Sequence, residues 1–573
     1  MASWRRSPAG LVIAAGLSVT IAGQTAVPLV RVNQAGYLPG APKIAVLVGE
    51  APATAAVVRD ASSRREALRV AVGAAVRDAH SGDTLRPLDI SALRAAGTYV
   101  IEVEGAGASD PFPVGDSVYR RPLYLALRAF YGQRCGTDVD LGPAYPHRHD
   151  ACHLDDARAH PSTGRDGALR AAGGWHDAGD YGKYIVNSGI TTGQLLWAWE
   201  WYPETFASLV LDIPESDNAM PDLLDELRWN LDWMRTMQDA DGGVWHKLTS
   251  ERFGSFTMPE KDDGGTRLVI GTGRPPFKGS CATADFAAVM AVAGRVFRTH
   301  DAPYAASALE AARRAWRWVA AHPDVTFRNP PGVSTGEYGD SDCADERLWA
   351  AAELFRTTGD AAYDTAARSL AKSRRVTATA PSWSSVGALG LWSYAQAAQA
   401  SADRALQARI RQETIDAARA VAARTDAEGW RHSLRPDDVV WGSNGVAANY
   451  GVLLLMAHRF ERQPAFVRAA GDNLHYLLGR NTFGVSWLTG VGVRPYRHPH
   501  HRPSGGDAID APWPGLLSGG PTRHSADPVL KKMPAAPPLR RWVDDEGSYA
   551  SNEIAINWNA PLVLLLAGVQ AER

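Results

Sequence analysis

The hydrophobic period of this chain changes near Asp116, and that change limits the folds open to it. From Leu29 to about Val114 there are short β-rich runs separated by glycine and proline: Leu29–Val32, Lys43–Val48, Ala56–Arg59 and Thr98–Val103. Strands of this length and spacing predict a small antiparallel sandwich of immunoglobulin-like size over residues 27–115. Beyond Asp116 apolar residues recur at helical spacing. Twelve amphipathic segments can be counted, near 119–133, 189–206, 220–238, 281–299, 302–322, 343–358, 361–374, 387–400, 402–425, 443–460, 464–481 and 551–570.

Twelve helices make six pairs. Short joints such as Thr299–Asp301 and Thr358–Asp360 make antiparallel neighbours, whereas long glycine- and proline-rich loops precede the second, fourth, sixth and twelfth helices. Six hairpins closed in a ring would form an (α/α)6 barrel over residues 117–573, with the even-numbered helices inside and the long loops at one rim. A less regular bundle or solenoid is the alternative. No 34- or 40-residue repeat supports an array.

Composition narrows the function. With 573 residues, 45% of them hydrophobic and 21% charged, the chain is not a disordered one. A formal net charge of −2 without runs of like charge leaves no footprint for nucleic acid or an anionic membrane, and favours a neutral ligand. Arg5 and Arg6 precede an apolar run from Ala9 to Ala22, so residues 1–26 read as an export signal with the mature chain starting near Val27. A buried N-terminal helix is the alternative. The four cysteines, Cys135, Cys152, Cys281 and Cys343, are too few for a disulfide scaffold.

Two stretches carry candidate chemistry. In Gly173–Tyr184, glycines permit a tight path, and Asp177 and Asp180 stand three apart where both can converge on one water. In Ser551–Ala560, Glu553 is expected in the first turn of the last helix, where it either steadies the macrodipole or, buried beside Tyr549 and Trp558, serves as an acid of raised pKa. A protonated acid and an ionised carboxylate are what glycosidic cleavage needs. A turn or cap is the plain reading of Asp177 and Asp180.

Gly-Gly-Trp-His-Asp-Ala-Gly-Asp-Tyr-Gly-Lys-Tyr at 173–184, Pro-His-His-Arg at 499–502 and Asn-Glu-Ile-Ala-Ile-Asn-Trp-Asn-Ala-Pro-Leu-Val at 552–563 together resemble glycoside hydrolase family 9. Val32–Tyr37 resembles the opening of the immunoglobulin-like domain found in one branch of that family. The resemblance implies an inverting β-glucanase with Asp180 as base, Asp177 holding the attacking water and Glu553 as general acid. It matches His500 and Arg502 to residues that bind the sugar beside the scissile bond, and makes Tyr549, Trp441 and Trp245 candidate sugar-stacking aromatics.

The same resemblance suggests a structural zinc on Cys135, Cys152, His153 and His176, with His149 or His160 as substitutes for His176. A Cys135–Cys152 disulfide is the rival. Ser341, Asp342, Asp345 and Glu346 resemble a calcium segment of the family, but an aspartate expected near 383–386 is replaced in Trp383-Ser384-Ser385, which puts that calcium in doubt. Asp239–Gly243 reads as a plain turn. A monomer acting on β-glucan or cello-oligosaccharide is expected, without dockerin or separate carbohydrate-binding module. An exo-acting β-glucosidase or glucosaminidase, a non-catalytic carbohydrate-binding protein and hydrolysis at an open zinc are the rival functions.

Overall fold

The computed structural model describes residues 27–155 and 157–572; the export signal read from the sequence lies outside them. The first unit is a two-sheet sandwich. Strands β1 (Val30–Arg31), β2 (Ile44–Val48), β3 (Ala55–Asp60), β4 (Glu66–Ala71), β5 (Val76–Arg77), β6 (Thr84–Asp89), β7 (Gly97–Val103), β8 (Gly107–Ala108) and β9 (Phe112–Val114) divide into a β1-β2-β6-β5 sheet and a β4-β3-β7-β8 sheet in which β9 also pairs with β7. All these pairings are antiparallel, with Val46 opposite Pro87 and Val58 opposite Ile101. Alternate residues such as Ala45, Leu47, Ala56, Val58 and Ile101 point inward and make its core.

The rest of the chain supplies twelve helices of nine residues or more among the described residues: α1 (Arg120–Gly132), α2 (Ile185–Trp201), α3 (Asp222–Thr236), α4 (Ser280–Val296), α5 (Ala302–Ala321), α6 (Ala344–Thr358), α7 (Ala361–Ala371), α8 (Gly387–Ala395), α9 (Arg404–Ala427), α10 (Ser443–Phe460), α11 (Pro464–Leu477) and α12 (Ile556–Ala571). Several begin where a side chain takes an orphan amide. Asp301 accepts from Tyr304 N, Asp360 from Ala362 N and Asp403 from Leu406 N, opening α5, α7 and α9.

The even-numbered helices form the inner wall. α2 packs on α4, α4 on α6, α6 on α8, α10 on α12 and α12 back on α2, with α9 touching both α8 and α10. Composition explains the division. α12 is buried all round from Ala560 to Val569, as an inner helix must be, whereas α5 buries one stripe through Ala308, Ala312, Ala315 and Val319. α4 is long and apolar enough to cross a membrane, but 94% of its apolar window is buried within this ring.

Two features depart from the sequence reading. The last helix starts at Ile556 rather than near 551; Tyr549–Asn552 is a separate turn, and Glu553 lies in extended backbone between them. A four-stranded rim sheet also joins β10 (Arg158–Ala159), β13 (Leu268–Ile270), β12 (Lys247–Thr249) and β11 (Lys183–Tyr184) in that order. β11 is the end of the Gly173–Tyr184 stretch, so the sheet anchors it, with Lys183 opposite Leu248 and Tyr184 opposite Lys247.

The sandwich is tied to the barrel by specific polar bonds. Gln34 donates to Gly484 O at 2.9 Å and accepts from Arg494 N at 2.8 Å. Trp430 Nε1 donates to Ser81 Oγ at 3.1 Å. The buried Arg480 bonds Ile44 O at 3.1 Å and Asp472 Oδ1 at 2.8 Å.

Candidate active site

The loops before α6, α8, α10 and α12 meet at one rim around a cleft of about 510 Å³, lined among others by Tyr338, Trp383, Trp441, Asn449, Glu553 and Trp558. Main-chain bonds stitch the two carboxylate stretches together beside it. Ala178 bridges Ala555, His500 bridges Glu553, and Ile556 N donates to Asp177 O at 2.9 Å. Gly519 N bonds Glu553 O at 2.7 Å, and Arg502 N bonds Gly179 O at 3.0 Å. The stretches at 173–184, 499–502 and 551–560 therefore share one backbone frame.

Glycine is required inside this frame. A Cβ on Gly179 would stand 2.0 Å from His500 O, and Gly174, at φ +76°, would drive one into the Trp233 ring. Gly182 leaves room for the carboxylate, since its N donates to Asp180 Oδ2 at 2.9 Å and a Cβ there would lie 2.7 Å from that oxygen.

The carboxyls differ in environment. Asp177 Oδ2 accepts from Asn187 Nδ2 at 2.9 Å and Tyr338 Oη at 3.0 Å, while its Oδ1 has no partner. Burial first, and then the charge of Asp180, push its pKa up to about 8. Glu553 is held well above the usual carboxylate range by burial and by Asp180 and Asp177, with a Trp441 hydrogen bond and Arg502 opposing. Asp177 and Glu553 thus both favour the protonated form more than an ordinary carboxyl does, and unequal environments are the means by which paired acids divide their roles.

The remaining predicted residues fall in three places. His500 donates to Asn552 O through its backbone and sets its ring edge-on to Phe256 at 5.0 Å and Tyr549 at 5.8 Å. Trp441 is 44% exposed and lies 5.4 Å from the Tyr549 ring, so both face the rim. Arg502 is nearly buried and directs its guanidinium at Gly179 O, 3.0 Å, and Gly254 O, 2.9 Å. Trp245 is elsewhere: it is buried in the hydrophobic core, with Lys278 over its ring at 5.7 Å, and does not line the cleft.

Sequence reasoning missed several residues around the carboxyls. Tyr338, in the long loop before α6, bonds Asp177 and packs edge-on to Tyr184 at 4.7 Å and Trp383 at 5.1 Å. Lys247 holds that loop by donating to Gly336 O at 2.7 Å and Asn329 Oδ1 at 2.8 Å. Burial lowers its pKa to about 7 against the attraction of Asp180. The length of the Tyr338 loop was the available signal; it does not single out a residue.

Cys135, Cys152, His153 and His176 bring their ligand atoms within 4.8 Å of one another. His153 Nδ1 lies 3.7 Å from Cys135 Sγ and its Nε2 3.3 Å from Asp262 Oδ2, while His176 Nε2 lies 3.9 Å from Cys152 Sγ. An outer carboxylate on the far ring nitrogen is the usual support of a metal-bound histidine. Although burial opposes it, the neighbouring Cys152 thiol, Lys183 and His176 favour the Cys135 thiolate and carry its pKa well below the ordinary thiol value. The donor set fits zinc. His149 turns its Nδ1 to Asp150 O and His160 caps Ser162, so both lie outside the set.

Cys135 and Cys152 are unbridged; the disulfide joins Cys281 at the start of α4 to Cys343 before α6. Beside it, part of the Ser341–Glu346 segment is engaged within the chain. Asp342 pairs with Arg374 at 2.9 Å and Asp345 Oδ2 accepts from Val386 N at 2.9 Å and Gly387 N at 3.2 Å. A guanidinium thus engages Asp342, and two amides engage one oxygen of Asp345. Glu346 is buried, and its oxygens are unpartnered, with Asp285 the strongest of the charges raising its pKa.

The description "Glycosyl hydrolase family 9" matches residues 119–566, and "Cellulase N-terminal ig-like domain" matches residues 25–108. The chain belongs to glycosyl hydrolase family 9. Among its relatives in that family, Endoglucanase D of Acetivibrio thermocellus is 35% identical over 94% of this chain and 83% of its own length. The xyloglucan-specific endo-beta-1,4-glucanase of Bacteroides ovatus is 36% identical over 98% of this chain and 97% of its own. A zinc-binding triple mutant of the family 9 endoglucanase J30 superposes with a TM-score of 0.88 at 35% identity, covering 94% of this chain and 100% of that one. The family 9 fold is therefore a helical barrel behind a small sandwich here as well.

Proposed function

We propose that this family 9 hydrolase is an exported enzyme that cleaves internal β-1,4-glucosidic bonds of soluble or mixed-linkage glucan, with inversion at the anomeric carbon. The observation that carries the reading is Glu553: a carboxyl whose pKa is raised by burial, on the wall of an aromatic cleft and on a backbone frame shared with Asp177 and Asp180. The printed names of the relatives, endoglucanase and xyloglucan-specific endo-beta-1,4-glucanase, support the substrate class.

In this reading Asp180 takes a proton from the attacking water, oriented with help from Asp177. Glu553 gives its proton to the departing oxygen, so that acid and base act from opposite faces of the sugar. Tyr338 and Asn187 hold Asp177, and Gly182 N orients Asp180. Trp441 and Tyr549 supply apolar faces for the ring, and His500 and Arg502 donors beside the bond being cut. A zinc on Cys135, Cys152, His153 and His176 would be structural, because two thiolates and two imidazoles leave no open position. It would tie the end of α1 to the catalytic loop, where Cys135 N already bonds Gly174 O at 2.8 Å and His176 N bonds Gln133 O at 2.7 Å.

The test is a substrate panel with three proteins. Wild type is expected to shorten carboxymethylcellulose or mixed-linkage glucan with early oligosaccharide products and an α-configured first product by NMR. Glu553→Gln and Asp180→Asn are expected to lose at least about 10²-fold in kcat while remaining folded. Monosaccharide alone from the first minutes would replace the endo assignment, a β-configured product the inverting one, and full activity of Glu553→Gln the whole mechanism.

A further inference from the structure

The aromatic row on the rim does not stop at His500. Trp441 contacts Tyr549, Tyr549 contacts His500, and His500 meets Phe256 edge-on at 5.0 Å. The Arg502 guanidinium then lies over the rings of both Phe256, at 5.4 Å, and Phe253, at 5.7 Å. His500 also bridges Glu553 through its backbone, so the row passes the acid with Trp441 at one end and the two phenylalanines at the other. Phe253 is 50% exposed, and neither ring joins a hydrophobic core cluster.

The segment that presents them is pinned at several points. Arg502 donates to Gly254 O, Tyr181 Oη to Thr257 O, Ser255 N to Asp263 Oδ1 at 2.7 Å, and Asp262 meets the His153 ring at 3.3 Å. Two of these anchors, Tyr181 and Arg502, belong to the stretches that frame the carboxyls. An apolar ring fixed in water beside a catalytic rim, with a guanidinium covering one face, offers its other face to something apolar and rigid.

We propose that Phe253, backed by Phe256 and Arg502, is a second sugar-stacking platform, which binds a pyranose of the β-glucan chain across the acid from Trp441. The proposal rests on the glucan-hydrolase reading above and deepens it: substrate spans both sides of Glu553, and chain length is sensed at Phe253. The axial C–H face of a β-linked glucose packs on the free face of the ring, while the Arg502 guanidinium, held by Gly179 O and Gly254 O, backs the other face.

The experiment compares wild type, Phe253→Ala, Phe253→Tyr and Phe256→Ala on cellotriose and cellohexaose, with binding of cellohexaose measured calorimetrically in a Glu553→Gln background. Phe253→Ala is expected to lower kcat/KM on cellohexaose on the order of tenfold, several times more than on cellotriose, and to shift the product pattern. Phe253→Tyr is expected to restore most of the loss. Equal effects on both lengths, or no effect with wild type active, would overturn the platform and leave the hydrolase reading standing. A wild type that neither cleaves nor binds cello-oligosaccharide would overturn both, and the Glu553→Gln binding arm tells these outcomes apart.

Discussion

At the scale of single residues, the catalytic geometry depends on where side chains are missing as well as on where they are present. Gly179 abuts the His500 carbonyl so closely that alanine must move the backbone carrying both His500 and Asp180. Gly179→Ala is expected to cost about 1–3 kcal/mol of stability and to lower kcat far more than KM; near-normal kcat in a steady-state assay would contradict the frame. Glu553 provides a second test. Its folded pKa is raised, so its acid form persists above the ordinary carboxylate range and is lost as pH rises through the folded value. The alkaline limb of the kcat/KM profile should follow that loss, and Glu553→Gln should abolish it together with turnover. Residue types alone made paired aspartates in a glycine-rich turn and a glutamate among aromatics candidates, but a turn and a helix cap fit them equally; the resemblance to family 9 gave them roles. Trp245 and Tyr338 were not legible, because a tryptophan reads the same in a core as on a rim, and a lone tyrosine in a long loop has no pattern around it.

At the scale of elements, all twelve helices were visible from their period, since each shows a buried stripe or an all-apolar face. The rim sheet was invisible because its strands run two or three residues, too short for alternation to register, and because its β10–β13 pair joins residues about 110 positions apart. The start of α12 was misplaced because the turn Tyr549–Asn552 continues the helical spacing, while Glu553 breaks it with extended dihedrals. The metal set belongs to this scale, since it couples the α1 terminus to the catalytic loop. Chelation is expected to lower Tm by several degrees and reduce activity with it, both recovering on zinc return, and the denatured, unreduced protein should show two titratable thiols. Retention of Tm through complete chelation, or no free thiols, would favour a Cys135–Cys152 bridge instead. The Cys281–Cys343 link, spanning 62 residues between α4 and α6, suits an oxidising compartment. Nothing in the spacing of four cysteines distinguishes that pairing from the others.

At the scale of the molecule, stability has a predictable pH dependence. His246, His432 and His475 are buried, and desolvation lowers each pKa to about 3. Between roughly pH 3 and 6.5 the unfolded chain binds the extra protons, so stability rises with pH across that window and is lost as pH falls. With three such groups the slope can reach about 4 kcal/mol per pH unit. Glu200, held down to about 2 against burial by Arg295 and Arg356, adds loss of the same sign lower down. Calorimetry at pH 4 and 7 should show Tm clearly lower at pH 4; equal values would mean the histidines are already protonated in the folded state. His432 and His475 sit near the junction of the two units, where His432 stacks on His80 and His475 meets Tyr37 edge-on. Acid is therefore expected to loosen the sandwich from the barrel, and that junction could not be read from sequence because its contacts pair residues 350 to 450 positions apart.

The main-chain stitching of Ala178 to Ala555 and of His500 to Glu553 works as a fixed gauge. Ladder bonds between peptide groups do not depend on which side chains hang from them, so the gap between Asp180 and Glu553, the proposed base and acid, is set independently of the cleft's lining. Under the proposed mechanism, rim residues such as Trp441 and Phe253 could then be exchanged to admit a different glycan while the stereochemistry stays the same. An engineer seeking new specificity here has the whole rim to vary, and one strip of backbone to leave alone.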